Sequence, residues 1–179
     1  MRAQQNWDGL SRINHWVLAV MMIGMLVFGV YLHEFMPRGP EKAALIGVHK
    51  AVGVLIFFLA LWRVGYRLVR GFLPDAAPMA RWQSVSAKLA HWGLLASVVL
   101  MPLTGMLGSY FGARPVDVFG MFTMPAVEIA NADPAGMFMG LHGGFAKLTI
   151  FLLLLHLAGA LKHHLVDRDA TLKRMLGRA

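Results

Sequence analysis

The sequence predicts an all-α integral membrane protein, a four-helix transmembrane bundle with both termini cytoplasmic. Three observations predict it. Hydrophobic residues fill 58% of 179 positions, 15% are charged, and mean hydropathy is +0.59, whereas a soluble domain is about 45–50% apolar and about 25% charged. The apolar residues gather in four runs, each long enough to cross a hydrocarbon core about 30 Å thick. The charges outside those runs sort by side.

The first run, residues 13–32, stays as an anchor: it is too long for the apolar region of a cleavable signal, and no small-residue cleavage site follows it. The second, 43–68, centres on VGVLIFFLALW. The third, 85–110, contains Pro102 and Gly105. Proline removes a backbone hydrogen bond and kinks a helix, which neighbouring helices tolerate inside a membrane. The fourth, 137–161, is almost unbroken. The longest connection, 111–136, carries Pro115, Pro125 and Pro134, and its length predicts a lid or binding element. No repeat or heptad interrupts the pattern, so residues 1–179 read as one domain.

Twelve of the seventeen lysines and arginines, Arg2 among them, fall on the side of the termini and of the second-to-third connection. The other five are Arg38, Lys42, Lys50, Arg114 and Lys147. The nine acids split four and five, which leaves +8 on one side and zero on the other. Positive charge marks the cytoplasmic side. This orientation accounts for the whole net charge, so no nucleic acid partner is needed.

Cysteine is absent, which excludes disulfides, thiolate metal sites and iron–sulfur ligation. Histidine, with eight copies, is the remaining ligand. His142 and His156 lie fourteen residues apart in the fourth run. On a helix that is about 21 Å, with the two side chains roughly 40° apart in rotation. They share a face at two depths, so one metal cannot take both. The up-and-down topology brings His49, near the outer start of the second run, to the depth of His142. It brings His15, near the cytoplasmic start of the first, to the depth of His156. Each pair suits the two axial positions of a b-type haem. A lone histidine near a span end is ordinarily an interfacial side chain. Four matched in depth on three helices favour two haems, with His15 and His156 on the inner iron and His49 and His142 on the outer. Gly47, Gly53, Gly143, Gly144 and Gly159 suit either a flat macrocycle or close helix packing.

Other polar residues admit two readings each. Arg12 and Arg63 are partners for haem propionates or ordinary cytoplasmic-side charge. Lys147 meets a propionate, meets an anionic substrate, or snorkels outward. His91 and His163 offer hydrogen bonds to a quinone head group or decorate the interface, and His33 reads as interfacial. A metal-ion or proton transporter would gather carboxylates and histidines at one depth. Here no acid lies in a span core and the histidines fall at two depths.

The chain resembles the bacterial cytochrome b561 family of small di-haem membrane cytochromes. The matching pieces are SRINHW at 11–16, GVHKAVG at 47–53, MPLTGMLG at 101–108, FTMP at 122–125, LHGGFAKL at 141–148 and LHLAGALKHHLVDRD at 155–169. The resemblance implies haem b ligation by His15, His49, His142 and His156, and exchange of electrons with ubiquinone in the bacterial cytoplasmic (inner) membrane. Some members are similar to superoxide oxidases, which pass an electron from superoxide at the outer face through the haems to quinone. Lys50, Lys147 and Arg114 are cations on that side that attract a small anion. Related di-haem subunits instead anchor hydrogenases or dehydrogenases, with a redox partner protein.

Overall fold

The structure, a computed structural model, describes residues 6–178; Arg2 lies outside the described residues. Four long helices run back and forth. Helix α1, Gly9–Val30, begins where the Asp8 carboxylate accepts the Ser11 N–H at 2.9 Å, which satisfies one of the free donors of the first turn. It continues through a π-helical turn, Tyr31–Phe35. Helix α2, Pro40–Arg70, opens on a proline whose missing N–H costs nothing there, and stops at Gly71. Helix α3 spans Arg81–Phe111 and α4 spans Ala132–Leu165. Between them strands β1, Val116–Asp117, and β2, Thr123–Met124, pair antiparallel, with Val116 opposite Met124. A short α5, Thr171–Leu176, ends the described chain.

All four rods are long and apolar enough to cross a membrane. They overrun the spans expected from hydropathy at both ends. Hydropathy registers only the stretch matched to hydrocarbon, whereas a helix keeps its hydrogen bonds into the polar interface. The outer surface agrees with a lipid environment. In α4 only Ala135 and Thr149 are buried, while Phe151, Leu154, Leu155 and Leu161 are exposed.

Two apolar clusters hold the bundle. In mid-bundle, Leu18, Met22, Met25 and Leu26 form a helical stripe on α1 that packs on Ile56 and Ala60 of α2 and Met101 of α3, closed by Phe145, Ile150 and Leu153 of α4. In the second, Val116 and Val118 fold the β-hairpin back onto Val54 of α2 and Met106 of α3. Helix α4 packs chiefly along α3 and approaches α1 and α2 only sparsely.

We call the end with Gly9 and Leu165 the termini end and the other the hairpin end. At the termini end α5 acts as a clasp. Trp16 Nε1 donates to the Met175 carbonyl at 3.3 Å, and Arg174 donates to the Pro74 carbonyl at 2.7 Å. Gly177 caps α5 with φ 73°, a left-handed conformation that favours glycine, and lies against the Arg12 guanidinium.

Val118 is fully buried and Phe119 beside it is half exposed. Val118→Ala should lower stability by about 2 kcal/mol, from the methyl groups lost and the gap left, and speed proteolysis within residues 112–131. Phe119→Ala should do neither. Thermal unfolding in detergent and limited proteolysis check this.

Candidate functional site

Both ends of the bundle hold a pair of facing imidazoles. At the hairpin end, His49 of α2 and His142 of α4 have ring centres 6.2 Å apart with planes at 90°. His142 is held from behind. Its Nδ1 lies 2.7 Å from the Met101 carbonyl of α3. A carbonyl only accepts, so Nδ1 carries the hydrogen and Nε2 keeps its lone pair. The ring also rests on Gly105, where a Cβ would come within 3.0 Å of His142 Cε1 and Nδ1. His49 packs on Phe28 at 5.9 Å, and its buried Nδ1 has no hydrogen-bond partner among the described residues.

At the termini end, His15 of α1 and His156 of α4 have centres 6.3 Å apart. His91 of α3 joins them, 5.4 Å from His156 and stacked on Phe72 at 5.9 Å. Around this trio lie arginines from α2. Arg63 donates to the Ser11 carbonyl at 3.1 Å and to its Oγ at 3.2 Å. Arg67, only 2% exposed, donates to Ser11 Oγ and to the Gly71 carbonyl. Ser11 stands one turn before His15 on α1.

These separations bear on what each pair holds. Two metal–imidazole bonds of about 2 Å, with roughly 1 Å from each donor nitrogen to its ring centre, span about 6 Å. Both pairs meet that span. Neither has a carboxylate in contact among the described residues, so neither resembles a site for a hard divalent cation. Neutral imidazoles suit an iron whose charge a macrocycle already balances.

A family model for prokaryotic cytochrome b561 matches residues 6–178. The chain belongs to the prokaryotic cytochrome b561 family. Cytochrome b561 homolog 2 of Escherichia coli (strain K12) is 33% identical over 98% of this chain and 93% of its own length. A protein named probable superoxide oxidase CybB, from Yersinia pestis, is 29% identical over 90% of each. Cytochrome b561 homolog 1 of Escherichia coli (strain K12) is 24% identical over 92% of this chain and 93% of its own length. The chain is thus a multi-pass membrane protein of an electron-transfer family, and membership implies b-type haem.

The remaining sequence-predicted residues fall in varied places. Arg12 lines a pocket with Ile13, Trp16 and Met175 beneath α5, and Trp16 in turn meets the His15 ring at 5.2 Å. Lys50 is half-buried; Lys147 and Arg114 are exposed. His91 and His163, read together as donors to one head group, have different partners. His91 faces His156, whereas His163 Nδ1 lies 2.6 Å from Asp169 and 3.3 Å from Asp167. Asp167 also takes the Lys162 ammonium at 2.6 Å, which already supplies a cation to this knot. Burial pushes the Asp169 carboxyl up, but bonds from Thr171 and His163 reverse this and hold it below the ordinary range. The sequence reading missed His91 as a third ring of the termini-end cluster, and missed Arg67. Its four-residue spacing from Arg63 places both on one face of α2, which was the available signal.

Asp8 anchors the mouth of the termini-end cluster, taking the Tyr66 hydroxyl at 2.8 Å as well as Ser11. Burial pushes its carboxyl up, but the Ser11 N–H, the Tyr66 hydroxyl and the Arg70 charge outweigh this and hold it below the ordinary range. A lowered carboxyl stabilises the fold above the pH where a free carboxylate ionises, and the contribution is lost as pH falls through the folded-state value. Asp8→Ala should therefore cost about 1 kcal/mol at neutral pH and flatten the acid limb of stability. Asp8→Asn should keep most of the cap but flatten the limb too. Melting curves between pH 7 and pH 3 check both.

Proposed function

We propose that this chain is a di-haem b electron-transfer protein of the bacterial cytoplasmic membrane, with both termini cytoplasmic, that passes electrons from an outer-side donor to ubiquinone. The observation that carries this is the pair of histidine pairs at two depths, 6.3 and 6.2 Å between ring centres. His15 and His156 would hold the inner haem iron, and His49 and His142 the outer. Bound haem supplies one-electron iron chemistry. The chain supplies the rest. His142 is fixed in the ligating tautomer by its bond to the Met101 carbonyl, the usual support for a metal-bound imidazole. The mid-bundle layer from Leu18 to Met101 keeps water out between the two levels. Arg63, which bonds Ser11 at the termini end, and Arg12, one turn before Trp16 on α1, are the proposed propionate partners.

Superoxide is the proposed donor, by analogy with the named superoxide oxidase relative. Two superoxide anions each give up one electron to become oxygen. One ubiquinone takes the two electrons and two cytoplasmic protons to become ubiquinol. Lys50, Arg114 and Lys147 present positive charge at the hairpin end, which raises the local concentration of a small anion. His163, with Nδ1 held by Asp169, has Nε2 left to hydrogen-bond a quinone oxygen.

The first test is a reduced-minus-oxidised visible spectrum of the purified protein with pyridine haemochrome quantitation. Two low-spin b haems per chain are expected, and none after expression with haem supplied would overturn the proposal. His142→Ala should bind one haem in place of two. Gly105→Val should push the His142 ring off its seat and deplete the same haem; retention of both in His142→Ala refutes the pairing. Superoxide-dependent ubiquinone reduction should weaken with salt. Lys50→Gln should lower its kcat/KM on the order of threefold at low ionic strength, and an unchanged rate at both ionic strengths removes superoxide steering.

A further inference from the structure

Arg67 is the largest fully buried side chain among the described residues, 2% exposed. Its hydrogen bonds go to Ser11 Oγ and the Gly71 carbonyl, neither of which carries charge. Its Nε is buried and has no partner. The ring of Trp7 covers the guanidinium at 4.3 Å and that of Phe72 stands 5.5 Å away. Among the described residues the ion pairs lie elsewhere, at His33, Lys162 and His163. Among the described residues no carboxylate makes a hydrogen bond or ion pair with its guanidinium, though Asp8 lines a small cavity with it. Burying a guanidinium in this way is costly, and intramembrane charge of this kind is a mark of function.

Its neighbours connect it to both imidazoles of the inner pair. On one side it bonds Ser11, one turn from His15. On the other, Phe72 stacks on His91, which meets His156 at 5.4 Å. We propose that Arg67 is a fixed buried cation that raises the reduction potential of the termini-end haem, so that electrons run downhill from the hairpin end to the termini end. The inference rests on the di-haem reading above.

The sign follows from charge. A ferric haem carries one more positive charge than a ferrous one, so a cation in low dielectric favours the reduced form. Arg63 lies at the same level, but its assignment to a propionate offsets its charge. Arg67 lies between the rings of Trp7 and Phe72, and its hydrogen bonds go to uncharged groups. Asp8 acts in the opposite sense: it lines a small cavity with Arg67 and Arg70, and its low carboxyl is ionised at neutral pH. At the hairpin end Arg114 is exposed outside the helices, where water screens it, and Lys50 is half-buried.

The test is a spectroelectrochemical titration of the full-length protein carrying both haems. His142→Ala, which retains only the termini-end haem, identifies which wave belongs to it. Arg67→Met should shift the termini-end midpoint downward and leave the hairpin-end midpoint in place. Arg67→Lys should restore most of the shift, and Asp8→Asn, which keeps the cap, should move the same midpoint upward. An unmoved termini-end midpoint in Arg67→Met overturns the proposal, as does an equal shift in the Met and Lys variants, which would mean shape rather than charge. If Arg67→Met loses the termini-end haem, the sign in Asp8→Asn decides: a midpoint that stays or falls overturns it. A wild-type protein without haem refutes the di-haem reading itself, a result distinct from a haem-replete protein whose potentials ignore Arg67.

Discussion

An imidazole inside a bilayer is costly unless its nitrogens find partners, because hydrocarbon offers none. Helix α4 carries two such rings at different depths, and the bundle is arranged around that demand. Helix α4 buries little of its own surface and lies mainly along α3. Its histidines reach the other two helices. Helices α1 and α2 run in opposite directions, so each offers its histidine at a different depth: His15 at the termini end and His49 at the hairpin end. The methionine- and leucine-rich layer between them does not define either site. It sets the spacing between two polar levels that would otherwise draw water into the bundle.

The two levels are built differently. At the hairpin end, one carbonyl and one glycine of α3 fix a single ring. At the termini end a third histidine, two arginines and the rings of Trp7, Trp16, Phe72 and Trp92 gather at the pair. On the di-haem proposal, a backbone-held site beside a cation-rich, aromatic-walled one would give electron flow a direction without any moving part. The clasp of α5 and the Asp169–Thr171 turn lie over the richer end.

The spans are legible in the sequence because bilayer thickness imposes a length, and the histidine partners because an up-and-down bundle turns chain position into depth. Rotation is harder to read. His91 is assignable to the termini end by counting residues, yet which neighbour it faces depends on how α3 turns about its axis. In lipid the apolar stripe that would report this is weak, since lipid-facing and buried positions are equally apolar. Arg67 reads as one more cytoplasmic-side charge for a related reason. Counting charges asks which side a residue lies on, while its burial depends on Trp7 and Phe72, both just outside regular helix. The hairpin strands are two residues each and α5 is six, too short for any periodicity to show.

The segment MPLTG of α3 carries a second structural role. From sequence, Pro102 and Gly105 mark a kink. In the structure Met101 and Gly105 also form a seat for His142. The Met101 carbonyl takes the His142 hydrogen, Gly105 leaves the space that the ring fills, and Thr104 Oγ lies 2.8 Å from both the Leu100 and Met101 carbonyls. Met101 also packs its side chain into the mid-bundle layer, so the carbonyl that orients the ring belongs to a residue that cannot shift without opening the core. The precision of the His142 site therefore comes from apolar packing one step removed from it. A core substitution that never touches an imidazole is expected to disturb this end of the bundle before it disturbs the other.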